Sequence, residues 1–350
     1  MSGMKKICVF TLYSLKGASS HYRILQFKND LEKNFDAKFF CFWSDKYITK
    51  YSSNKKKYML NITFEYLKNM FKRIFQILVL APKCDVVFFQ KGIIPKSNFS
   101  FLRYLKKRGV KVVFDVDDAI YLNEKPKGIS KCIAALSDLV IVGNDELEKY
   151  YSDFASRVLL IPTVDYTPAY EPFRRDTFNM KVVGWIGTKA TINNLDLIIE
   201  PMNRLVNIYP EVELHIICDD DYGYTKKIKN SKLVKWDINT YKENLSNITI
   251  GIMPLKDNEY NRGKCGFKLI QYLNLEKPII SSNVGVNKEI TNGFGLLAED
   301  KEQWFKALGK ILFNSDCYYK LTTNISEEFN KKYSFEIASK MLIEILDNII

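Results

Sequence analysis

GIMPLKDNEYNRGKCGFKLIQYLNLEKPIISSNVGVN, residues 251–287, is the stretch from which the fold is read. The apolar run Ile248 to Met253 ends at Pro254, a polar loop follows, a helix opens near Gly266, and a second apolar run spans Pro278 to Ser281. Strand, loop, helix and strand in that order make one parallel crossover unit. The same alternation extends in both directions. Candidate strands in the second half are Lys181 to Ile186, Glu213 to Cys218, Leu233 to Trp236, Ile248 to Met253, Pro278 to Ser281 and Gly295 to Leu297. Those in the first half are Lys6 to Leu12, Ala37 to Phe42, Val86 to Gln90, Val110 to Asp115, Leu139 to Val142 and Val158 to Ile161. Between the halves, Tyr166 to Met180 carries Pro168, Pro172, Arg174, Arg175 and Asp176 with little apolar periodicity and reads as a linker. Glu302 to Phe313 and Phe335 to Ile349 repeat apolar residues at i, i+3 and i+4, the helical period. The expected fold is α/β: two Rossmann-like doubly wound domains facing a cleft, over 1–165 and 181–330, joined by 166–180. A C-terminal helix, 331–350, is expected to cross back to the first domain.

At 47% hydrophobic residues, 350 residues bury two cores. Seven cysteines form no CxxC pair and read as reduced thiols, which points to a cytoplasmic protein. His21 and His215 have no cysteine at ligand spacing, so no metal site is expected, and His215 reads as a core residue in an apolar run. Lys5 and Lys6 precede ICVFTLYSL, which is short and reads as a first strand, not a signal peptide. The nearest approach to a membrane span, Ile74 to Ala81, is interrupted by Gln76. A net charge of +12 asks for an acidic partner: nucleic acid, an anionic membrane surface or a phosphorylated substrate. The lysines are spread over both halves without a nucleic-acid module, so no nucleic acid is expected. Over 55–80, Lys55, Lys56, Lys57, Lys68, Lys72 and Arg73 accompany Leu67, Met70, Phe71, Ile74 and Leu78 at helical spacing. This segment reads as a basic helix for an anionic membrane surface, or as a core helix with a solvated basic face.

Chemistry-bearing residues cluster where candidate strands end. Lys264 and Lys268 stand one turn apart at a helix start, where free backbone N–H groups and the positive dipole end suit a diphosphate; both are expected to be exposed. Gly187, Thr188 and Lys189 follow a strand, with glycine for close backbone approach and two side-chain donors. Lys16 to Arg23 follows the first strand, with Gly17, Ser19, His21 and Arg23 as its candidates; in the plainer reading, Ser19 or Ser20 only caps the helix. Asp115, Asp117 and Asp118 end the fourth strand, where open α/β folds place their sites. Carboxylates so close repel unless a cation compensates.

The segment from Lys264 onward has the form KxxFKxxQYxxxxxPxxxSxxGxN and resembles the donor-binding region of family 4 glycosyltransferases of the GT-B type, in a bacterial surface-polysaccharide subset. The family places two glutamates eight positions apart around this helix start. Here the second position is Gln271, which keeps hydrogen-bonding capacity toward a ribose. The first is Gly263, leaving Glu259 or Asp257 as the nearest carboxylates for the donor sugar. Phe267 falls within the same donor region. Many members carry an arginine where Thr188 stands, so Lys189, Lys264 and Lys268 are expected to supply the charge on the diphosphate. The first glycine-containing loop, with Gly17, Ser19 and Arg23, is expected near the acceptor, and Asp115, Asp117 and His21 near the reacting sugar. Val142 to Glu146 and Ile161 to Asp165 resemble segments that close the first domain.

The resemblance implies transfer from a nucleoside diphosphate sugar to a glycan or lipid-linked acceptor. It also implies retained configuration, no cofactor and no metal, in cell-surface polysaccharide synthesis at the inner face of a membrane. Two alternatives are a nucleotide-sugar epimerase of the same fold and a metal-dependent GT-A transferase using the DxD of Asp115 and Asp117.

Overall fold

A computed structural model describes residues 3–95 and 100–349. The chain forms two compact units, Met1–Thr163 with Ala338–Ile350, and Val164–Ile337. Each is built on a six-stranded parallel sheet. In the first unit the strands are β1 (Lys6–Thr11), β2 (Asp36–Cys41), β3 (Val86–Gln90), β4 (Lys111–Val116), β5 (Leu139–Val142) and β6 (Val158–Leu160), in the order β2-β1-β3-β4-β5-β6. In the second they are β7 (Val182–Ile186), β8 (Glu213–Cys218), β9 (Ser231–Lys235), β10 (Ile250–Met253), β11 (Ile279–Ser281) and β12 (Gly295–Leu297), ordered β12-β11-β10-β7-β8-β9.

The central strands are short and apolar because both faces of a parallel sheet are covered by crossover helices. Every residue of β3, β5, β7 and β10 is buried. Alternate residues serve opposite faces. In the second unit Val183 and Trp185 face a core shared with the helices Ile199–Ile208 and Lys301–Phe313, while Val182 and Ile186 face one shared with the helix Phe267–Asn274. His215 is buried on β8 with its Nε2 2.9 Å from the Glu213 carboxylate, and burial lowers its pKa.

Each strand order reverses once, between β1 and β3 and between β7 and β10. At such a reversal neighbouring crossovers leave to opposite faces, which opens a crevice at the carboxyl ends of the strands. That is where each unit keeps its polar loops. The segment 166–180 is not a bare tether: it makes three 3₁₀ turns that dock on the second unit. Tyr170 is buried with its hydroxyl on Asp165 Oδ2 at 2.5 Å, and Arg174 Nε donates to Asn274 O at 2.9 Å. The helix Phe335–Ile349 begins in the second unit, where Phe335 N donates to Thr167 Oγ1 at 3.0 Å. From Ala338 it belongs to the first unit, where Ser339 Oγ donates to Asp30 Oδ2 at 2.5 Å and Lys5 pairs with Asp347 at 2.8 Å.

Candidate donor site

The second unit's crevice is built from the loops after β7 and β10. After β7 the chain turns at Gly187, where a Cβ would lie 2.3 Å from the Trp185 ring, so only glycine lets the turn close against that indole. Thr188 N donates to Thr191 Oγ1 at 3.3 Å and Thr191 N to Thr188 O at 2.9 Å. Asn194, just beyond, ties this turn to the loop after β10: its Oδ1 accepts from Lys256 N at 3.0 Å and from Asn261 Nδ2 at 3.3 Å, while its Nδ2 donates to Thr191 O at 3.1 Å. The helix Phe267–Asn274 starts on Gly266, whose φ of +66° and tight packing against Ile290 exclude a side chain.

These constraints bring Lys268 to the Gly187 turn. Its Nζ donates to Thr191 Oγ1 at 3.2 Å and sits 4.6 Å from the Trp185 ring centroid. Lys264 Nζ lies 2.9 Å from Tyr260 Oη and 4.1 Å from that ring's centroid. Both lysines are half-buried, not exposed as expected, with their ammonium groups set against aromatic rings. Burial, with the repulsion of Lys264, pushes the Lys268 pKa down to about 7. An anion placed there relieves both penalties at once. Thr188 and Lys189 are exposed, with Lys189 Nζ 5.5 Å from the Tyr222 ring; Phe267 is half-buried and Gln271 buried in the helix. Two buried polar atoms near these loops, Trp185 Nε1 and Asn287 Oδ1, have no hydrogen-bond partner among the described residues.

Gly263 closes the short helix Glu259–Arg262. Asp257 is committed to Arg262 at 2.6 and 3.0 Å, and Glu259 is exposed on that helix's first turn. The residues that knit this site together, Thr191, Asn194, Asn261 and Trp185, carry no pattern in the sequence beyond ordinary polar turns and an apolar strand.

In the first unit Gly17 caps the helix Ala18–Arg23 with its backbone alone. Neither serine acts as the cap. Ser20 Oγ accepts from Tyr13 N at 3.1 Å and donates to Gln90 Oε1 at 3.0 Å, while Gln90 Nε2 donates to Ser19 Oγ at 2.8 Å. His21 is half-buried, edge-on to Tyr22 at 4.8 Å.

Each of the three aspartates has a cation. Arg23 donates to Asp115 at 2.6 and 3.2 Å, with 4% and 1% of the two residues exposed, and its Nη1 reaches Ile161 O at 2.7 Å and Thr163 Oγ1 at 3.2 Å. Burial raises the Asp115 pKa against the pull of Arg23. Lys91 Nζ bridges Asp117 Oδ1 at 3.0 Å and Asp118 Oδ2 at 3.3 Å. Burial works against the Lys91 charge, but the two carboxylates outweigh it and hold its pKa above the ordinary value. Lys91 also sits at φ +60°, a left-handed conformation that costs a lysine about 1 kcal/mol. Sequence reading missed it, since a lysine after an apolar strand carries no distinctive signal.

Residues 180–314 match the family described as Glycosyl transferases group 1. Solved structures share the fold of the chain. Anabaena Alr3699/HepE in complex with UDP has a TM-score of 0.64 at 11% identity, covering 99% of this chain and 100% of that one. Sucrose-phosphate synthase from Thermosynechococcus elongatus gives 0.66 at 12%, covering 99% of each. An α,α-trehalose 6-phosphate synthase from Burkholderia multivorans gives 0.68 at 11%, covering 99% of this chain and 97% of that one. At such identities the likeness is one of fold. No curated protein sequence matches the chain.

Proposed function

We propose that this chain, which has the two-domain fold of GT-B glycosyltransferases and whose residues 180–314 match glycosyl transferases group 1, moves a sugar from a nucleoside diphosphate sugar to a glycan or lipid-linked acceptor. The observation that carries the reading is the meeting of Lys268 with Thr191 and Trp185 at the strand-order reversal of the second sheet. In this reading the diphosphate lies at the start of the Phe267–Asn274 helix, against Lys264, Lys268 and the Gly187–Lys189 turn, with Gln271 toward the ribose.

As the bond from the anomeric carbon to the diphosphate oxygen breaks, negative charge grows on the leaving group. The two lysines and the helix N-terminus stabilise it more than they stabilise the intact donor. The acceptor hydroxyl oxygen bonds to the anomeric carbon on the same face, retaining configuration, and its proton passes to the leaving phosphate oxygen. No metal is required in this scheme. Asp117 and His21 are the first unit's candidates for contacts to the reacting sugar, and Gly17 and Ser19 belong to the acceptor loop. The acceptor is a surface-polysaccharide intermediate, met at the cytoplasmic face of a membrane, and the exposed basic segment 55–80 supports that placement. Among the described residues no helix is long and apolar enough to cross a membrane.

A thermal-shift screen against UDP, GDP, ADP and their sugars tests the proposal. At one hundred times its dissociation constant a bound donor adds about 2.7 kcal/mol of stability, enough to raise the melting temperature by several degrees. No shift with any diphosphate, in a protein of normal melting temperature, would remove the reading.

A further inference from the structure

The helix Met59–Phe75 carries apolar residues on two sides, one packed inward and one exposed. A helix covering a sheet normally buries its apolar stripe and shows its polar face to water. This one packs Ile62, Tyr66, Met70 and Ile74 on the core of the first unit and is fixed there by polar groups as well. Arg73 is buried, with Nη1 donating to Ile93 O at 2.8 Å and Nη2 to Phe40 O at 2.8 Å and Thr11 O at 3.3 Å, and its guanidinium lies 4.6 Å from the Phe10 ring centroid. Asn69 Nδ2 donates to Phe42 O at 2.7 Å, and Glu65 accepts from Ser44 N at 2.9 Å.

The opposite face carries Leu60, Phe64, Leu67, Phe71 and Phe75, and the stripe continues to Leu78 through the turn Gln76–Leu80. All six are exposed; Leu60, Phe64 and Phe71 show 83%, 73% and 66% of their surface. Spacings of three and four put them on one line, about 27 Å long at the helical rise. An apolar stripe of this extent on a folded surface marks an interaction face.

Its surroundings identify the occupant. Lys55, Lys56 and Lys57 precede the stripe and Lys68 and Lys72 flank it; all five are exposed and none forms an ion pair among the described residues. Residues 46–84 hold nine basic residues and one acid, and that acid, Glu65, is turned toward Ser44. A second copy of the chain on this face would set Lys68 and Lys72 against their own symmetry mates, which like charges oppose. We propose that this face lies flat in an anionic bilayer surface, with Phe64, Leu67 and Phe71 at the acyl boundary and the five lysines on lipid phosphates. The inference rests on the reading of the enzyme as one that works at a membrane, and names the face by which it does so.

Flotation of the full chain with mixed phosphatidylglycerol–phosphatidylcholine vesicles, against phosphatidylcholine alone, tests it. The chain should partition onto the anionic vesicles. Phe64→Ser/Phe71→Ser should lower that partitioning about tenfold or more, and Lys68→Gln/Lys72→Gln should remove most of the preference for anionic over neutral vesicles. Melting temperatures of both variants should match the parent, because every substituted side chain is exposed. Three results each overturn the proposal: a parent that floats with neither vesicle, equal partitioning onto both, or a concentration-dependent dimer in sedimentation velocity that Phe64→Ser/Phe71→Ser abolishes. Nucleotide binding, followed in parallel by thermal shift with UDP, separates the two readings. Flotation without nucleotide binding sinks the donor site alone, and nucleotide binding without flotation sinks the membrane face alone.

Discussion

Lys268 is the residue through which pH should reach donor binding. With its pKa held near 7 by burial and by Lys264, Lys268 is only partly charged at neutral pH. A diphosphate favours the charged ammonium, so the Lys268 pKa rises in the complex and binding takes up a proton. The sign follows: affinity is greatest below pH 7 and declines as pH rises through 7 toward the higher pKa of the complex, by up to about tenfold per pH unit. A nucleotide sugar is the probe to use, since its phosphates stay ionised throughout this range. Calorimetry in two buffers of different ionisation enthalpy should show the uptake near pH 7.5, and none in Lys268→Ala. That variant should also lose about 1.5–3 kcal/mol of binding, the usual worth of a charge-assisted contact. A flat pH profile in the parent would detach Lys268 from the donor.

Asp115 invites a second test at this scale, because its carboxylate is enclosed with Arg23. Asp115→Asn should cost about 3–5 kcal/mol in urea unfolding, as expected when one partner of a buried pair is removed. Lost turnover with unchanged stability would instead give Asp115 a direct part in the chemistry.

Among the elements, the Met59–Phe75 helix buries one charged side chain, Arg73. Arg73→Ala strips donors from the Ile93, Phe40 and Thr11 carbonyls and opens space beside Phe10, so the fold should lose about 2–4 kcal/mol in urea. Residues 59–80 should become the first site of limited proteolysis. Unfolding and cleavage identical to the parent would mean the helix is held by other contacts.

This helix also marks the limit of what the sequence reveals. Strands buried on both faces announce themselves as apolar runs, which is why Val86 to Gln90, Leu139 to Val142 and Glu213 to Cys218 are read with their observed bounds; the part-exposed Gly295 to Leu297 is read so too, and the other strands lie within two residues. Helical spacing over 55–80 likewise shows a helix, but it groups Met70 and Ile74 with Leu67, Phe71 and Leu78, and the structure packs the first two on the core and exposes the other three. The spacing does not show which face meets the sheet. Here three carbonyls at the ends of β1 and β2 and beyond β3 hold Arg73 inward together with Ile62, Tyr66, Met70 and Ile74, and a second apolar row from Leu60 to Leu78 is left outward. The donor site divides in the same way. Lys264, Lys268 and Gly187 lie at legible strand ends, whereas the Asn194–Asn261 tie and the Lys91 bridge exist only once distant loops are folded together.

At the scale of the whole molecule, both units follow one plan, a parallel sheet whose strand order reverses once, with charged residues gathered at the reversal. The two gatherings have opposite characters, and a metal assay distinguishes which one neutralises a diphosphate. In the second unit Lys264 and Lys268 concentrate positive charge that binding would relieve. In the first, the acidic residues are already answered: Arg23 holds Asp115, and Lys91 holds Asp117 and Asp118. A divalent ion seated on Asp117 would have to displace Lys91 from a contact that both carboxylates strengthen, at the cost of leaving a buried ammonium unpaired. Nucleoside diphosphate affinity should therefore be similar in EDTA and in Mn²⁺, should fall in Lys268→Ala, and should be unchanged in Asp117→Asn. If binding requires the metal, and that requirement is lost in Asp117→Asn but kept in Lys268→Ala, the diphosphate belongs to the acidic cluster of the first unit and the donor site proposed for the second is wrong.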